Sequence, residues 1–411
     1  MRILWLSHLL PFPPIGGVRQ RSYNLLKAVS SKHAVTLVAL SQKAQQKNEK
    51  EIRSAVDNLK YICEQVYCYR MPCDASPYGK AFLLLKSFFS FKCYLAEWTR
   101  SLQFKNAVAQ LCSDNRYDIV YLDCIALVPY LKELPPLPKI LNHHNIESQL
   151  MFHRFERETN PLIKLYCYQE AIKRKRLEKR YCSKFAVNIC VSNLDRKRLK
   201  AVSPEIPRIE VVENGVDLER LWPPDSKSQK SRSLLFAGGM TRFPNRDGVE
   251  YFISEIWPIL KERVPEIEIT VVGRKPPPKL LSMAENDQSI RVLGFVEEIK
   301  PYYDETTVYV CPIRDGGGTR LKVLDAMSAG KAVVSTHLCS EGIDAEDGRE
   351  ILIADSPEGF VEHIESLLMD EKLRTSMAES ARAFVEANHD FTKIGEHLNY
   401  IFESVYQEGR G

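Results

Sequence analysis

The sequence lacks several features that mark specialised classes of protein. Its eleven cysteines include no CxxC pair, and their odd number and scattered positions argue against a disulfide-stapled secreted domain. No run approaches the ~18 apolar residues of a membrane-spanning helix, and no repeat or low-complexity segment is present. The net charge of +4 is small for 411 residues and gives no overall signal for nucleic-acid binding. We therefore expect a globular protein with reduced thiols in the cytoplasm.

Length and composition predict two domains. The chain has 411 residues, of which 44% are hydrophobic and 27% are charged, a balance typical of soluble globular proteins. The N-terminal run MRILWLSHLLPFPP is apolar over only a few residues, carries Ser7 and His8, and ends in prolines without a small-residue cleavage site. We interpret it as a first buried strand rather than a secretion signal.

The most informative stretch runs from Cys311 to Thr336 and reads CPIRDGGGTRLKVLDAMSAGKAVVST. An apolar run ending at Ile313 predicts a buried strand, three glycines predict a turn, and residues after Arg320 have helical spacing. A glycine turn that opens a helix lets backbone N–H groups approach an anion, and the helix N-terminus adds about half a positive charge. Arg320 and Lys322 add two cations, so the pattern indicates a phosphate site.

Asp325 lies one turn further along the same predicted helix. A carboxylate does not help to bind an anion, but it is a good acceptor for a pair of sugar hydroxyls. Together with the basic turn it indicates a nucleoside diphosphate, with the phosphates on the turn and the ribose on Asp325. An ordinary strand-to-helix connection with a solvated basic first turn is the alternative, because glycine turns recur at the strand ends of α/β sheets.

The stretch GGGTRLKVLDAMSAGKAVVST resembles the donor-binding motif of the retaining glycosyltransferases of family 4, which have the GT-B fold. In that family the motif carries two glutamates, of which the second contacts the donor ribose and the first lies near the transferred sugar. Asp325 stands at the second position and Gly317 at the first, so one carboxylate is missing, and Asp315 is a candidate substitute. The resemblance implies donor contacts from the turn itself, at Gly317, Gly318, Thr319 and Arg320.

Strand, loop and helix alternate along both halves of the chain, as in doubly wound parallel sheets. RILWLS near the N-terminus and SLLFA after residue 232 start the two series. The pattern also predicts strands at Lys139–Asn142 (KILN) in the first series, and at Ser340–Ile343 (SEGI) and Glu350–Ala354 (EILIA) at the end of the second. The resemblance implies the GT-B fold, an α/β architecture of two Rossmann-like domains facing across a cleft. We expect an N-terminal acceptor domain over residues 1–205, joined by a C-terminal helix within residues 391–411, and a donor domain over residues 206–390.

Two motifs of the N-terminal half follow predicted strands. Ligands bind beyond the C-terminal ends of parallel strands, so the Gly16-Gly17 turn and the HHNIES run from His143 to Ser148 would lie at the ligand edge. The resemblance implies that Gly16 and Gly17 lie near the donor diphosphate and sugar, and that His144 contacts the donor sugar or the acceptor. A plain structural turn and a structural histidine are the alternatives.

In the C-terminal half, GGMTRFPNRDGVEYF again predicts a glycine turn that opens a helix. Arg242 and Arg246 bring cations to the start of this helix, and Asn245 or Asp247 can cap it. The resemblance implies that basic residues of this region bind the donor diphosphate, and Arg242 is the first candidate. It also implies that Phe295, after a further predicted strand, lies against the nucleobase; a core position for Phe295 is the alternative.

Two stretches of the N-terminal half are compatible with two kinds of surroundings. Residues 80–98 are rich in Leu, Phe and Tyr with few charges, and the centre of residues 162–185, KRKRLEKR, holds six cations and one acid. One interpretation is that the first stretch forms a core helix and that the second presents a solvated helix face. The alternative is an interfacial patch, in which apolar side chains enter the headgroup zone and cations attract anionic lipid.

The residues and the resemblance together predict a glycosyltransferase. It would move a sugar from a UDP- or GDP-linked donor to a hydroxyl with retention of the anomeric configuration, using Lys322, Arg242 and His144 as catalytic side chains. Fixed cations and N–H groups can stabilise a leaving diphosphate without a metal, and no DxD-type pair follows a convincing strand. We therefore expect neither a metal nor a cofactor.

The expected acceptor is a saccharide or a lipid-linked saccharide of cell-surface polysaccharide or glycolipid synthesis, with no nucleic-acid partner. Such an enzyme would work in the cytoplasm or peripherally on the inner face of the membrane. Two other functions remain open at this stage. Gly317 in place of a glutamate is compatible with a nucleotide-sugar-binding protein impaired in transfer, and a GT-B nucleotide-sugar epimerase would need acid/base carboxylates that the sequence does not identify.

Overall fold

The computed structural model describes residues 1–113, 116–223, 231–316 and 318–409. The chain divides into two compact units: unit 1 is Met1–Glu213 with Thr392–Gly411, and unit 2 is Asn214–Phe391. The predicted borders followed residues 205 and 390, whereas the structural borders follow Glu213 and Phe391. No helix within the described ranges is long and apolar enough to cross a membrane.

Unit 1 contains a seven-stranded sheet in which all neighbouring strands are parallel. Its strands are β1 (Arg2–Ser7), β2 (Ala34–Ser41), β3 (Gln65–Arg70), β4 (Ile119–Leu122), β5 (Lys139–Asn142), β6 (Val187–Cys190) and β7 (Ile209–Val211). Their spatial order is β3-β2-β1-β4-β5-β6-β7. The strand order reverses between β1 and β4, which is where doubly wound sheets bind ligands.

Both faces of this sheet are buried. Alternate residues of β1 enter two different cores, with Leu4 and Leu6 on one face and Ile3 and Trp5 on the other, as the two-residue period of a strand requires. The covering helices are α1 (Gly17–Ser30), α2 (Glu49–Leu59), α3 (Gly79–Phe88), α4 (Tyr94–Trp98), α5 (Leu102–Ser113), α6 (Glu147–Arg157), α7 (Pro161–Tyr181) and α8 (Asn193–Val202), with a 3₁₀-helix at Ile125–Glu133.

Unit 2 repeats the same topology with six parallel strands. They are β8 (Ser233–Ala237), β9 (Glu268–Val272), β10 (Ile290–Leu293), β11 (Val308–Cys311), β12 (Ala332–Ser335) and β13 (Leu352–Ile353). Their order is β10-β9-β8-β11-β12-β13, so the reversal falls between β8 and β11. The two sheets confirm the predicted α/β class with two Rossmann-like domains.

The helices of unit 2 surround one continuous core that includes Phe236 of β8 and Tyr309 of β11. They are α9 (Phe243–Tyr251), α10 (Trp257–Arg263), α11 (Pro278–Asn286), α12 (Lys300–Glu305), α13 (Leu321–Ser328), α14 (His337–Ser340), α15 (Pro357–Met369) and α16 (Glu371–Asn388), with a π-helical turn at Phe252–Ile256. A strand over Ser340–Ile343, which the SEGI run suggests, is wrong, because Ser340 ends α14 and a turn follows.

The last helix, α17 (Phe391–Glu408), returns to unit 1. Phe402 stacks on Tyr121 of β4 with ring centroids 5.7 Å apart. A Cβ at Gly395 would lie 2.5 Å from the Ala28 Cβ, so the missing side chain allows α17 to approach α1 closely. Asn399 donates from Nδ2 to the Ala28 carbonyl at 3.0 Å. The C-terminal residues therefore complete the core of the N-terminal unit.

Candidate active site: the glycine turn of unit 2 and the polar cluster of unit 1

In unit 2, β11, a glycine turn and α13 follow one another as the sequence predicts. Gly316 and Gly318 have φ values of 101° and 76°, a backbone conformation that residues with a Cβ rarely adopt. Arg320 precedes α13 and donates from Nη2 to the Asp315 carbonyl at 2.9 Å. Gly317, the predicted neighbour of the transferred sugar, lies outside the described residues.

Lys322 joins this turn to the turn after β8. Its Nζ donates to Asn245 Oδ1 at 2.7 Å, and Asn245 Nδ2 donates to the Gly239 carbonyl at 2.8 Å. A Cβ at Gly238 would stand 2.5 Å from this Nζ, so the glycine leaves the space that the ammonium occupies. The two strands at the order reversal thus bring a glycine turn and a lysine to one point.

Burial sets the protonation of two groups here. It lowers the pKa of Lys322 to about 8, because an ammonium loses hydration there. Burial likewise raises the pKa of Asp325 to about 6, against the opposing charges of Arg220 and Lys322. Both groups are charged near neutral pH, and the site contains a cation for an oxyanion with a carboxylate one helical turn away.

The other predicted donor residues of unit 2 lie around this point with different surroundings. Arg242 is exposed and stands at the N-cap of α9, and among the described side chains none caps that helix. Capping by Asn245 or Asp247 is therefore wrong, since Asn245 binds Lys322 and Asp247 pairs with Arg314 at 3.2 Å. The Thr319 hydroxyl donates to the Gly342 carbonyl at 3.4 Å.

Phe295 is not a core residue. Its side chain is 53% exposed, and the Arg274 guanidinium lies 4.0 Å from its ring centroid. The predicted core alternative is therefore wrong. An exposed ring at the loop after β10, with a planar cation on it, is free to stack on a nucleobase through its other face.

In unit 1, the turn after β1 has the backbone that the Gly16-Gly17 pair suggests. Gly16 has a φ of 89° and forms the N-cap of α1, and Gly17 is the first residue of that helix. A non-glycine residue at position 16 would be strained. Both glycines are exposed at the C-terminal edge of the sheet.

A buried carboxylate, Asp123, follows β4 at the order reversal of unit 1 and contacts polar groups from the ends of β1 and β5 and from α1. Its Oδ2 accepts from the Ser22 hydroxyl at 2.7 Å and the Ser7 hydroxyl at 3.1 Å. Its Oδ1 lies 3.4 Å from His144 Nε2, and its Oδ2 lies 3.9 Å from His8 Nδ1. These neighbours lower the pKa of Asp123 despite its burial, the His144 contact contributing most among them.

The structure distinguishes the two adjacent histidines of the HHNIES run. His143 is buried, its Nε2 is 3.0 Å from Asn188 Oδ1, and desolvation lowers its pKa to about 4. His144 instead lies at the C-terminal edge beside Asp123. Asn142 connects His144 with Asp123, because its Nδ2 lies 3.4 Å from both Asp123 Oδ1 and His144 Nε2. His143 therefore has the surroundings of a structural histidine, and His144 those of a site residue.

Arg21 supports this cluster from beneath. It is buried, and it donates to the carbonyls of Val212 and Glu213 at 2.7 Å each and to Asn142 Oδ1 at 3.3 Å. Such contacts hold the end of β5 against the segment after β7. Asn142, and with it His144, is thereby fixed in position.

Family models match most of the chain. The model of "Glycosyltransferase Family 4" matches residues 15–220, and that of "Glycosyl transferases group 1" matches residues 231–370. The first match alone spans half of the chain. The chain belongs to glycosyltransferase family 4.

Individual relatives of this glycosyltransferase are distant. An "Uncharacterized 44.6 kDa protein in cps region" of Klebsiella pneumoniae is 22% identical over 99% of both chains. A phosphatidyl-myo-inositol mannosyltransferase of Mycolicibacterium smegmatis is 26% identical over 56% of this chain and 60% of the relative. The crystal structure of Anabaena HepE in complex with UDP-glucose has a TM-score of 0.64, with 14% identity, 98% of this chain covered and 100% of that one. This structural likeness supports the GT-B fold.

The polar cluster of this glycosyltransferase has the composition of a metal-ligand group. Ligand atoms of His8, Asp123 and His144 all lie within 4.8 Å of one another, and imidazole with carboxylate suits several divalent ions. Both Asp123 oxygens, however, already accept hydrogen bonds from protein donors, Ser7 and Ser22 on one and Asn142 on the other. These contacts favour a carboxylate that orients its neighbours over one that ligates an ion.

Proposed function

We propose that this glycosyltransferase transfers a sugar from a UDP- or GDP-linked donor to a hydroxyl acceptor with retention of the anomeric configuration. The observation that carries the proposal is the arrangement of Lys322, Asn245 and Gly238 at the strand-order reversal of unit 2. A partly desolvated ammonium beside a glycine turn and a helix N-terminus suits a diphosphate.

Each donor part has a candidate partner in unit 2. Lys322, together with N–H groups of the turn at Gly316–Gly318, would bind the diphosphate. Asp325 would accept hydrogen bonds from the ribose hydroxyls. Phe295 would stack on the base, and Arg242, exposed at the start of α9, would supply a second cation. The Anabaena structure determined with UDP-glucose supports a nucleotide donor of this kind.

The chemistry requires that negative charge be stabilised as the bond between the anomeric carbon and the diphosphate breaks. Lys322 and the backbone donors are fixed before the reaction, so they stabilise that charge without reorganising. The acceptor proton would pass to a donor phosphate oxygen as the new bond forms on the same face of the sugar. This route needs no strong enzymic base and is compatible with the absence of a glutamate at Gly317.

In unit 1, His144 would contact the transferred sugar or the acceptor. Asp123 holds its Nε2 side at 3.4 Å, so Nδ1 is the other ring atom able to make a polar contact. Gly16 and Gly17 would allow the donor diphosphate and sugar to approach the backbone closely. Asp315 remains the candidate substitute for the missing glutamate. We propose no metal and no cofactor for this reaction.

The proposed acceptor is a saccharide, free or lipid-linked, of cell-surface polysaccharide or glycolipid synthesis. The relative named phosphatidyl-myo-inositol mannosyltransferase and the relative from a cps region support this class. With such an acceptor the enzyme would act in the cytoplasm, at the inner face of the membrane.

The first experiment is a thermal-shift screen of the full chain against UDP, GDP, ADP and their sugars, followed by calorimetry. We expect one nucleoside diphosphate to bind, and Asp325→Ala to weaken it about tenfold through the loss of two hydroxyl contacts. Unchanged affinity in Asp325→Ala would contradict the ribose role. No binding by any nucleotide would contradict the donor site as a whole.

Product analysis tests the reaction itself. Incubation of the preferred donor with a panel of saccharide and polyprenyl-linked acceptors, read by NMR of the anomeric proton, should show retention. A product with inverted configuration would refute the mechanism. Isomerised donor without acceptor would identify an epimerase, and binding without any turnover would identify a nucleotide-sugar-binding protein.

A further inference from the structure

Unit 1 has an exposed apolar segment on its surface around α3. Phe82, Leu85, Phe89 and Phe91 are 68%, 60%, 79% and 95% exposed. Of the ten residues of α3, all of which are described, Ser87 alone is buried. A core helix over residues 80–98 is therefore wrong for its first half. Large side chains in water at four neighbouring positions mark a surface that another phase or partner covers.

The first two turns of α7 extend this segment. Leu162 and Leu165 are 77% and 53% exposed, and Tyr168 is 46% exposed. The two helices adjoin, because Lys173 of α7 donates from Nζ to the Ser87 carbonyl at 2.6 Å. We call the exposed side chains of residues 78–92 and 161–168 the apolar–basic surface.

The charges of this surface have one sign. Residues 78–92 contain Lys80, Lys86 and Lys92, residues 161–168 contain Lys164, and neither stretch contains an acid. The acids near it come from flanking segments: Asp74 pairs with Lys80 at 2.9 Å, and Glu97 lies 3.9 Å from Lys92.

The strongly basic run KRKRLEKR contributes fewer exposed positive charges than its composition suggests. Lys173 and Arg174 are buried, and they pair with Glu170 at 3.7 Å and Glu147 at 2.8 Å. These two cations hold α7 against its neighbours. Lys175 and Arg176 are exposed, so a solvated helix face describes only part of the run.

We propose that the apolar–basic surface docks unit 1 peripherally on an anionic lipid bilayer, with Phe82, Leu85, Phe89 and Phe91 in the interfacial zone. Apolar side chains flanked by lysines match the two requirements of interfacial binding, apolar burial and attraction to anionic headgroups. Self-association is less favourable, because a two-fold contact places like-charged lysines opposite one another. This docking determines where the enzyme binds, and it does not depend on whether the proposed transfer reaction is correct.

The test is co-sedimentation of the full chain with vesicles of neutral phosphatidylcholine alone or mixed with phosphatidylglycerol, at low and high salt and without donor. We expect binding to the anionic vesicles that weakens with salt. Phe89→Ser combined with Phe91→Ser should reduce the partition coefficient at least about tenfold, because two inserted rings are lost. These side chains are exposed, so the variant should keep the melting temperature of the parent protein.

A matched control is Tyr61→Ser combined with Tyr400→Ser, since these rings are 89% and 65% exposed in unit 1 outside the apolar–basic surface. This control should bind vesicles as the parent does. Equal partition of the parent and the Phe89/Phe91 variant, or no binding to anionic vesicles at all, would overturn the proposal. A parent dimer in light scattering that the phenylalanine variant abolishes would assign the surface to a second copy instead.

Discussion

Lys322→Met tests the donor site most directly. The ammonium is replaced by an apolar chain of similar length. Its neighbours stay in place: Asn245, whose Oδ1 lies 2.7 Å from Lys322 Nζ, and Gly238, which has no Cβ to fill the space beside that atom. Because the charge is the feature lost, the variant separates anion stabilisation from the packing of α13. We expect it to fold and to bind donor weakly.

The magnitude follows from the surroundings of the amine. A charge-assisted hydrogen bond contributes about 1.5–3 kcal/mol, and removal of one fixed donor from a developing oxyanion costs about 10²–10³ in kcat. We therefore expect kcat to fall about a hundredfold, and KM for the donor to rise less, because charge on the leaving diphosphate is greatest in the transition state.

The free energy of unfolding of Lys322→Met should not fall together with its kcat. The fall in the Lys322 pKa from 10.5 to about 8 means that the folded state disfavours the ammonium. The corresponding cost, on the order of 3 kcal/mol, is fully present below pH 8 and disappears as pH rises toward the unfolded value. Removing the charge relieves this cost but loses the Asn245 hydrogen bond, so we expect an equal or higher melting temperature.

Lys331→Met is the matched control. Lys331 is a second buried lysine of unit 2, its pKa is also lowered to about 8, and its Nζ donates to the Thr306 carbonyl at 2.9 Å. It precedes β12 and so lies at the opposite edge of the sheet from Lys322. Initial rates with the preferred donor, alongside calorimetry, should show full activity for this control. Near-parental kcat in Lys322→Met, or equal losses in both variants, would refute the reasoning.

Three further outcomes follow from the same sites. Donor affinity should be highest between about pH 6 and about pH 8, because the Asp325 carboxylate is lost as pH falls through its raised pKa and the Lys322 cation is lost as pH rises through its lowered pKa; a calorimetric titration that is flat across pH 5–9 would contradict these assignments. Asp123→Asn should lower kcat about tenfold or more through misplacement of His144, with little change in nucleotide affinity; parental kcat would make Asp123 structural only. Exhaustive dialysis against EDTA should leave activity unchanged, whereas loss restored by one divalent ion would assign a metal to the Asp123 cluster.

The β-strands were largely predictable from sequence because parallel sheets bury both faces of their strands. Lys139–Asn142 and Ser233–Ala237 have the predicted bounds, since each has an apolar centre between polar or turn residues. The edge strand Gln65–Arg70 (QVYCYR) carries no such signal, because it mixes polar and apolar residues and all six are half-buried. SEGI was misread because Ile343 is buried in a turn that follows α14.

The candidate sites were predictable where a local motif encodes them. The turn before α13 is such a motif, whereas the Lys322–Asn245 contact joins residues 77 positions apart. The Asp123 cluster joins His8, Asp123 and His144 from three strand ends, and only the topology brings them together. Asp123 did carry one signal, a carboxylate at the end of an otherwise apolar strand. Exposure of Phe89 and Phe91 also depends on the tertiary arrangement, because their sequence alone equally suits a core.

The ends of unit 2 meet. Val216 pairs with Asp390 as an isolated parallel bridge, its N–H donates to the His389 carbonyl at 2.8 Å, and His389 Nδ1 lies 2.8 Å from the Asn214 carbonyl. Residues 214–391 thus begin and finish side by side, like a loop inserted into the rest of the chain. A recombination event that exchanges this one gene segment would preserve both junctions. If the proposed function is correct, specificity for the nucleotide could therefore change in a single evolutionary step, while the surface proposed to bind the acceptor is inherited intact.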